Sequence, residues 1–100
     1  MARFLVTYHG SGMPDDPELM EQAKQGFLAW VGQAGSAIVD PGAPLQMVRQ
    51  VSSGSPETAV EIGGYSIIEA DDADAAAAVL QSHPYVARGG TLQVNQVLAV

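Results

Sequence analysis

The chain of 100 residues contains no cysteine, so disulfide frameworks and thiolate metal sites are excluded. Positive charge is scarce. Arg3, Lys24, Arg49 and Arg88 are the only fixed cations against 11 acidic residues, for a net charge of -7. They are scattered, with no basic patch and no interleaving of aromatic and basic residues. A phosphate backbone or an anionic lipid surface needs clustered Lys or Arg, so no nucleic-acid partner and no membrane partner is expected. No window approaches 18 apolar residues, and the run Met1–Val6 is too short for a secretory leader. The expectation is a cytoplasmic protein whose acidity serves solubility.

Motifs with a cofactor or a nucleophile attached are also missing. There is no GxSxG, no P-loop, no HExxH and no dinucleotide-binding glycine fingerprint, and no cofactor is expected. Gly10-Ser11-Gly12 follows a strand, but the next helix starts several residues later, which makes a poor phosphate cradle. His9 and His83 are the only histidines, and their separation has no metal-ligand pattern. A metal would need both to converge with Asp40 or Glu69, so none is expected.

What is present is a sequence of alternations and caps that fills one small domain, residues 1–100. Arg3–Tyr8 is rich in β-branched and aromatic residues and reads as a strand. Phe4, Val6 and Tyr8 fall on one face, and Arg3, Leu5 and Thr7 on the other. Met13–Asp16 is a polar connection. Asp16 then caps a helix with Pro17 at its first position, running to about Ala34 before Gly35. Met20, Ala23, Phe27, Trp30, Val31 and Ala34 form its apolar stripe. Gly26 inside it costs roughly 1 kcal/mol against Ala and so suggests a close approach.

Ser36–Asp40 reads as a short strand ended by a turn at Pro41-Gly42-Ala43-Pro44. Leu45–Val51 alternates as a further extended segment, Ser52–Pro56 is a loop, and Thr58–Ile62 leads into a strand at Gly64–Ala70. Asp71 or Asp72 caps a second helix, whose stripe is Ala76, Val79, Leu80 and His83. Pro84 ends it, Arg88-Gly89-Gly90 turns, and Thr91–Val100 is the last strand.

The order β-α-β-(β)-β-α-β predicts an α+β, ferredoxin-like split βαβ fold, with two helices on one face of an antiparallel sheet. The other face keeps apolar residues from several strands, so it is expected to meet a second sheet and form a homodimer.

Tyr8-His9-Gly10, Val39-Asp40-Pro41-Gly42-Ala43-Pro44-Leu45, Gly63-Gly64-Tyr65 before Ile68-Glu69-Ala70, Pro84-Tyr85 and Gly89-Gly90-Thr91 together resemble the YCII-related family. The closer likeness is to its DGPF-type small proteins, and it covers nearly the whole chain. The resemblance implies a dimeric α/β barrel. It also implies links to dehydrochlorination of a chlorinated aromatic in one branch, and to transcription sigma factors in others. Some relatives have a proposed His–Asp pair in a cleft. Here the first helix has no histidine, and the position of the aspartate before Pro84-Tyr85 is His83. That mechanism does not carry over.

Candidate chemistry then rests on a few side chains. His9 is a candidate general base at a cleft mouth, or a locally bonded loop histidine. His83, at the last turn of the second helix, is placed where the helix dipole favours its cation, or is satisfied locally. Trp30, Tyr65 and Tyr85 either line a pocket for a flat apolar ligand or are core. Asp40 either binds ligand or caps the turn beside Pro41. Glu69 shares a strand face with Tyr65 and Ile67; if that face is covered, it must be paired or its pKa raised. The expected activity is binding of a compact aromatic or carbonyl-containing molecule in a cleft near His9, Trp30, His83 and Tyr85, with His-based proton transfer. The alternative is a non-catalytic dimeric interaction module.

Overall fold

The computed structural model describes residues 1–10 and 16–99. Strand β1 (Ala2–His9) leads to helix α1 (Pro17–Ala34), a single 3-10 turn at Gly35–Ala37, and strand β2 (Ile38–Pro44). After a long irregular stretch come strand β3 (Gly64–Ala70), helix α2 (Ala73–Leu80), the one-turn helix α3 (Pro84–Ala87) and strand β4 (Thr91–Gln96). The four strands form one antiparallel sheet in the order β2-β3-β1-β4. The fold is thus α+β, compatible with the ferredoxin-like arrangement that the element order predicts. Much of the Gly10-Ser11-Gly12 loop and of the Met13–Asp16 connection lies outside the described residues, as does Val100.

The core forms where alternation and helical periodicity meet. Phe4 and Val6 from β1 and Ile68 and Ala70 from β3 pack against Trp30 of α1 and Ala76 and Leu80 of α2. The predicted helix starts hold. Asp16 Oδ1 accepts from the N–H groups of Glu18 and Leu19 at 2.8 and 3.3 Å, with Pro17 following. Asp72 Oδ1 accepts from Ala75 N–H at 2.8 Å and caps α2. Each cap satisfies donors that the helix itself leaves open.

Three expectations are corrected. Pro41–Pro44 continues β2 rather than ending it. β2 is an edge strand, so the two prolines remove no ladder donor the sheet requires, and register shifts between Ile38 and Ala43 absorb the misfit. Gly42 makes this possible with φ +81°; a Cβ there would overlap the Tyr65 carbonyl.

Leu45–Val51, expected as an extended segment, joins no sheet. Residues 45–63 instead project as a two-limbed arm. Leu45 N–H donates to the Gly63 carbonyl at 3.1 Å, and Gln50 Nε2 to the Glu57 carbonyl at 3.1 Å. Met47, Val48, Val51 and Val60 along it are all exposed, Val51 almost completely. The arm raises the radius of gyration to 14.7 Å, against roughly 13 Å for a compact chain of this length. β4, third, stops at Gln96, short of the predicted Val100.

Among the described residues, no helix is long and apolar enough to cross a membrane.

Candidate functional site

A cavity of about 570 Å³ opens between α1, the β2–β3 edge and α3. Its size falls in the range that takes a small organic ligand. Met20, Ala23 and Phe27 form the helical wall, Pro41–Pro44 with Gly63 and Gly64 the strand wall, and Tyr8, His83 and Tyr85 the inner end.

The inner end is held by a hydrogen-bond chain whose direction is set at both ends by the backbone. α2 ends at Leu80, so His83 is not on its last turn as the periodicity predicts; it is the N-cap of α3. Its Nδ1 accepts from the Tyr85 N–H at 3.0 Å. Only a neutral ring protonated at Nε2 can do this. Nε2–H therefore donates to Tyr8 Oη at 2.8 Å. At the far end, Ser66 Oγ–H donates to the Pro41 carbonyl at 2.8 Å. Tyr8 O–H is left to donate to Ser66 Oγ at 2.7 Å. The chain runs His83 to Tyr8 to Ser66 to Pro41, with each hydroxyl both accepting and donating.

The electrostatics agree. Burial, together with a smaller effect of the nearby Arg88 cation, pushes the His83 pKa down to about 4. The ring sits among Tyr8, Phe27, Trp30 and Tyr85, closest to Trp30 at 4.3 Å between centroids. Aromatic faces favour a cation, but desolvation and Arg88 oppose it, and Nδ1 is already committed as an acceptor. The expectation of a dipole-stabilised imidazolium is thus reversed. Burial also raises the Tyr8 pKa, an effect the Ser66 hydrogen bond partly offsets. The wall is neutral throughout, and neither ring nitrogen of His83 offers a free lone pair to a ligand.

The other predicted residues separate. His9 lies on the sheet face turned away from the helices, with Nε2 2.8 Å from Thr7 Oγ1, and does not line the cavity. The two histidines share no cleft, because His9 alternates with Tyr8 on β1 and only Tyr8 faces inward. Trp30 is core: its Nε1–H donates to the Val79 carbonyl at 3.2 Å, tying α1 to α2. Glu69 is paired across the β1–β3 register with Arg3 at 3.2 Å on a partly exposed face, away from the cavity. Such a pair contributes little.

Asp40 caps its turn, Oδ1 accepting from Gly42 N–H at 2.8 Å, while Oδ2 accepts from Tyr65 O–H at 3.3 Å. The Asp40 charge and this hydrogen bond raise the Tyr65 pKa, and Tyr65 borders the cavity. Tyr85 is buried at the inner end, and a Cβ at Gly90 would overlap its ring. Among the described residues no cluster of His, Asp or Glu has the makings of a metal site.

Tyr8 and Ser66, central to the chain, are not among the candidates the sequence suggests. One signal was available: Ser66 is the polar residue on the buried face of β3, between Gly64 and Ile68. A buried hydroxyl at such a position needs a partner. The chain matches no family model, no curated protein and no solved structure, so the site is interpreted from its own geometry.

Proposed function

We propose that this protein binds a small, largely apolar molecule in the cavity between α1, the β2–β3 edge and α3. The observation that carries the reading is a cavity of about 570 Å³ at whose inner end Tyr8, His83 and Ser66 are already hydrogen-bonded to one another, the buried Tyr85 hydroxyl alone lacking a partner among the described residues. A ligand body entering it meets Phe27, Ala23 and the neutral Tyr8–His83 wall without stripping partners from a buried polar group. Because His83 has no open lone pair, the reading favours binding over His-based proton transfer. Saturation-transfer NMR with a panel of aromatic fragments tests it. Ala23, buried and lining the helical wall, can be enlarged: Ala23→Trp fills the cavity, so binders should vanish in that variant once circular dichroism shows it folded. Fragments that still bind it equally well would remove the cavity from consideration.

A dimeric interaction module is the second reading, and the arm favours it. Met47, Val48, Val51 and Val60 are exposed apolar residues on a segment with few hydrogen bonds of its own. A second copy of the chain would cover them, together with the outer sheet face that carries Leu5 and Ile67. The ferredoxin-like, dimeric-barrel form of the fold and the likeness to YCII-related proteins belong to this reading, as does a cytoplasmic setting suited to a cysteine-free chain. A monomer by light scattering at micromolar concentration would overturn the dimer.

A further inference from the structure

Two of the chain's four fixed cations, Lys24 on α1 and Arg88 just past α3, border the same cavity. The remaining two, Arg3 and Arg49, do not. The protein has 11 acidic residues, yet among the described ones only Glu21 lines this cavity, and its carboxylate accepts from Gln25 Nε2 at 3.4 Å. Neither Lys24 nor Arg88 has an ion-pair partner among the described residues, where Arg3–Glu69 is the ion pair. Arg88 is further positioned by the Tyr85 ring, its guanidinium carbon 5.5 Å from the ring centroid.

The inner wall supplies no charged handle, and its one unpartnered polar atom among the described residues is the buried Tyr85 hydroxyl. The His83 Nε2–H and the Tyr8 and Ser66 hydroxyl protons are all spent within the chain that ends on the Pro41 carbonyl. Recognition of a charged group must therefore come from the rim, and among the described residues the rim is positive on balance while the protein as a whole is negative.

We propose that the cavity selects an apolar monoanion, an aromatic or aliphatic carboxylate, with its body inside and its charged end at the rim beside Lys24 and Arg88. This rests on the cavity being the binding site, and it adds the ligand's charge and orientation. A carboxylate takes charge-assisted hydrogen bonds from both side chains, and the guanidinium suits it geometrically. An uncharged isostere of the same shape gains only the apolar contacts.

The test is calorimetric titration with 2-naphthoate and with its uncharged isostere 2-naphthamide, at neutral pH and low salt. The expected result is naphthoate binding about tenfold more tightly than the amide. Lys24→Met with Arg88→Met should bring the two within about twofold, by weakening naphthoate alone. Both side chains are exposed, and circular dichroism checks the variant's fold; should it fail to fold, the wild-type comparison decides by itself. Ala23→Trp should abolish binding of both compounds, which separates the cavity from the apolar arm as the site. Equal or tighter binding of the amide, lost in Ala23→Trp, would overturn the anion preference and leave the cavity reading intact. A naphthoate preference that survives the double methionine variant would also overturn it. Binding of neither compound, or binding indifferent to Ala23→Trp, would overturn both.

Discussion

His83 donates its Nε2 proton to Tyr8 Oη at 2.8 Å, and it can do so only because its Nδ1 is held as an acceptor by the Tyr85 N–H. One imidazole therefore serves two purposes, capping α3 and closing a side-chain chain that crosses from α3 to β1 and β3.

The two purposes should separate by substitution. His83→Asn keeps an acceptor suited to the cap and loses the donor to Tyr8. His83→Gln keeps reach towards Tyr8 and loses the cap. Each is expected to cost about 1–2 kcal/mol in denaturant unfolding. His83→Ala should cost about 3 kcal/mol or more, since it also leaves a void among four aromatic rings. An alanine variant as stable as wild type would refute the double role.

Acid should weaken the fold through the same residue. The unfolded chain takes up a proton at His83 below about pH 6.5, whereas the native ring resists until about pH 4. The contribution is complete above about pH 6.5 and is lost as the pH falls towards 4, the loss amounting to roughly 2–3 kcal/mol near pH 4.5. Stability measured from pH 7.5 to 4.5 should decline less in His83→Gln than in wild type. Identical slopes in the two proteins would exclude His83 as the source.

Tyr8→Phe and Ser66→Ala test the chain itself. Tyr8→Phe strands the His83 donor, and Ser66→Ala strands the Tyr8 hydroxyl, each at about 1–3 kcal/mol. The double variant should cost less than the two singles together, by at least about 0.5 kcal/mol, because both break one network. Strict additivity in a double-mutant cycle would argue against coupling.

Two glycines should respond in opposite directions. Gly26 sits in α1 beside Pro84, where an added Cβ would lie 3.6 Å from the Pro84 Cβ, an ordinary contact. Gly26→Ala should therefore stabilise by up to about 1 kcal/mol. At Gly42, φ +81° and the overlap with the Tyr65 carbonyl make Gly42→Ala destabilising by about 2 kcal/mol or more. Thermal unfolding of both variants checks the signs.

These contrasts mark where the sequence was readable. β1, β3 and the starts of α1 and α2 follow from local rules: alternation about Phe4, Val6 and Ile68, and capping by Asp16 and Asp72. The Pro41–Pro44 segment could not be read locally, because a proline-rich strand is tolerable only at a sheet edge, and edge position is a property of the whole sheet. His83 continued the α2 spacing of Ala76, Val79 and Leu80, yet the helix ends at Leu80, so the periodicity agreed with a cap by coincidence. For the site, Tyr85 was legible as an inward aromatic. Its partners Tyr8 and Ser66 come from strands 58 residues apart in sequence, and only the β1–β3 register brings them together. His9 was misplaced by one step of alternation.

The arm at residues 45–63 makes the chain divisible. Arg49 lies on it, exposed and outside every helix and strand, so trypsin should cut there first. The piece before the cut holds β1 and β2, and the piece after it holds β3 and β4. In the sheet order β2-β3-β1-β4 these alternate, so every ladder joins one piece to the other. Neither half has a strand pair of its own. The two should be unstructured apart and assemble on mixing, a ready-made system for fragment complementation.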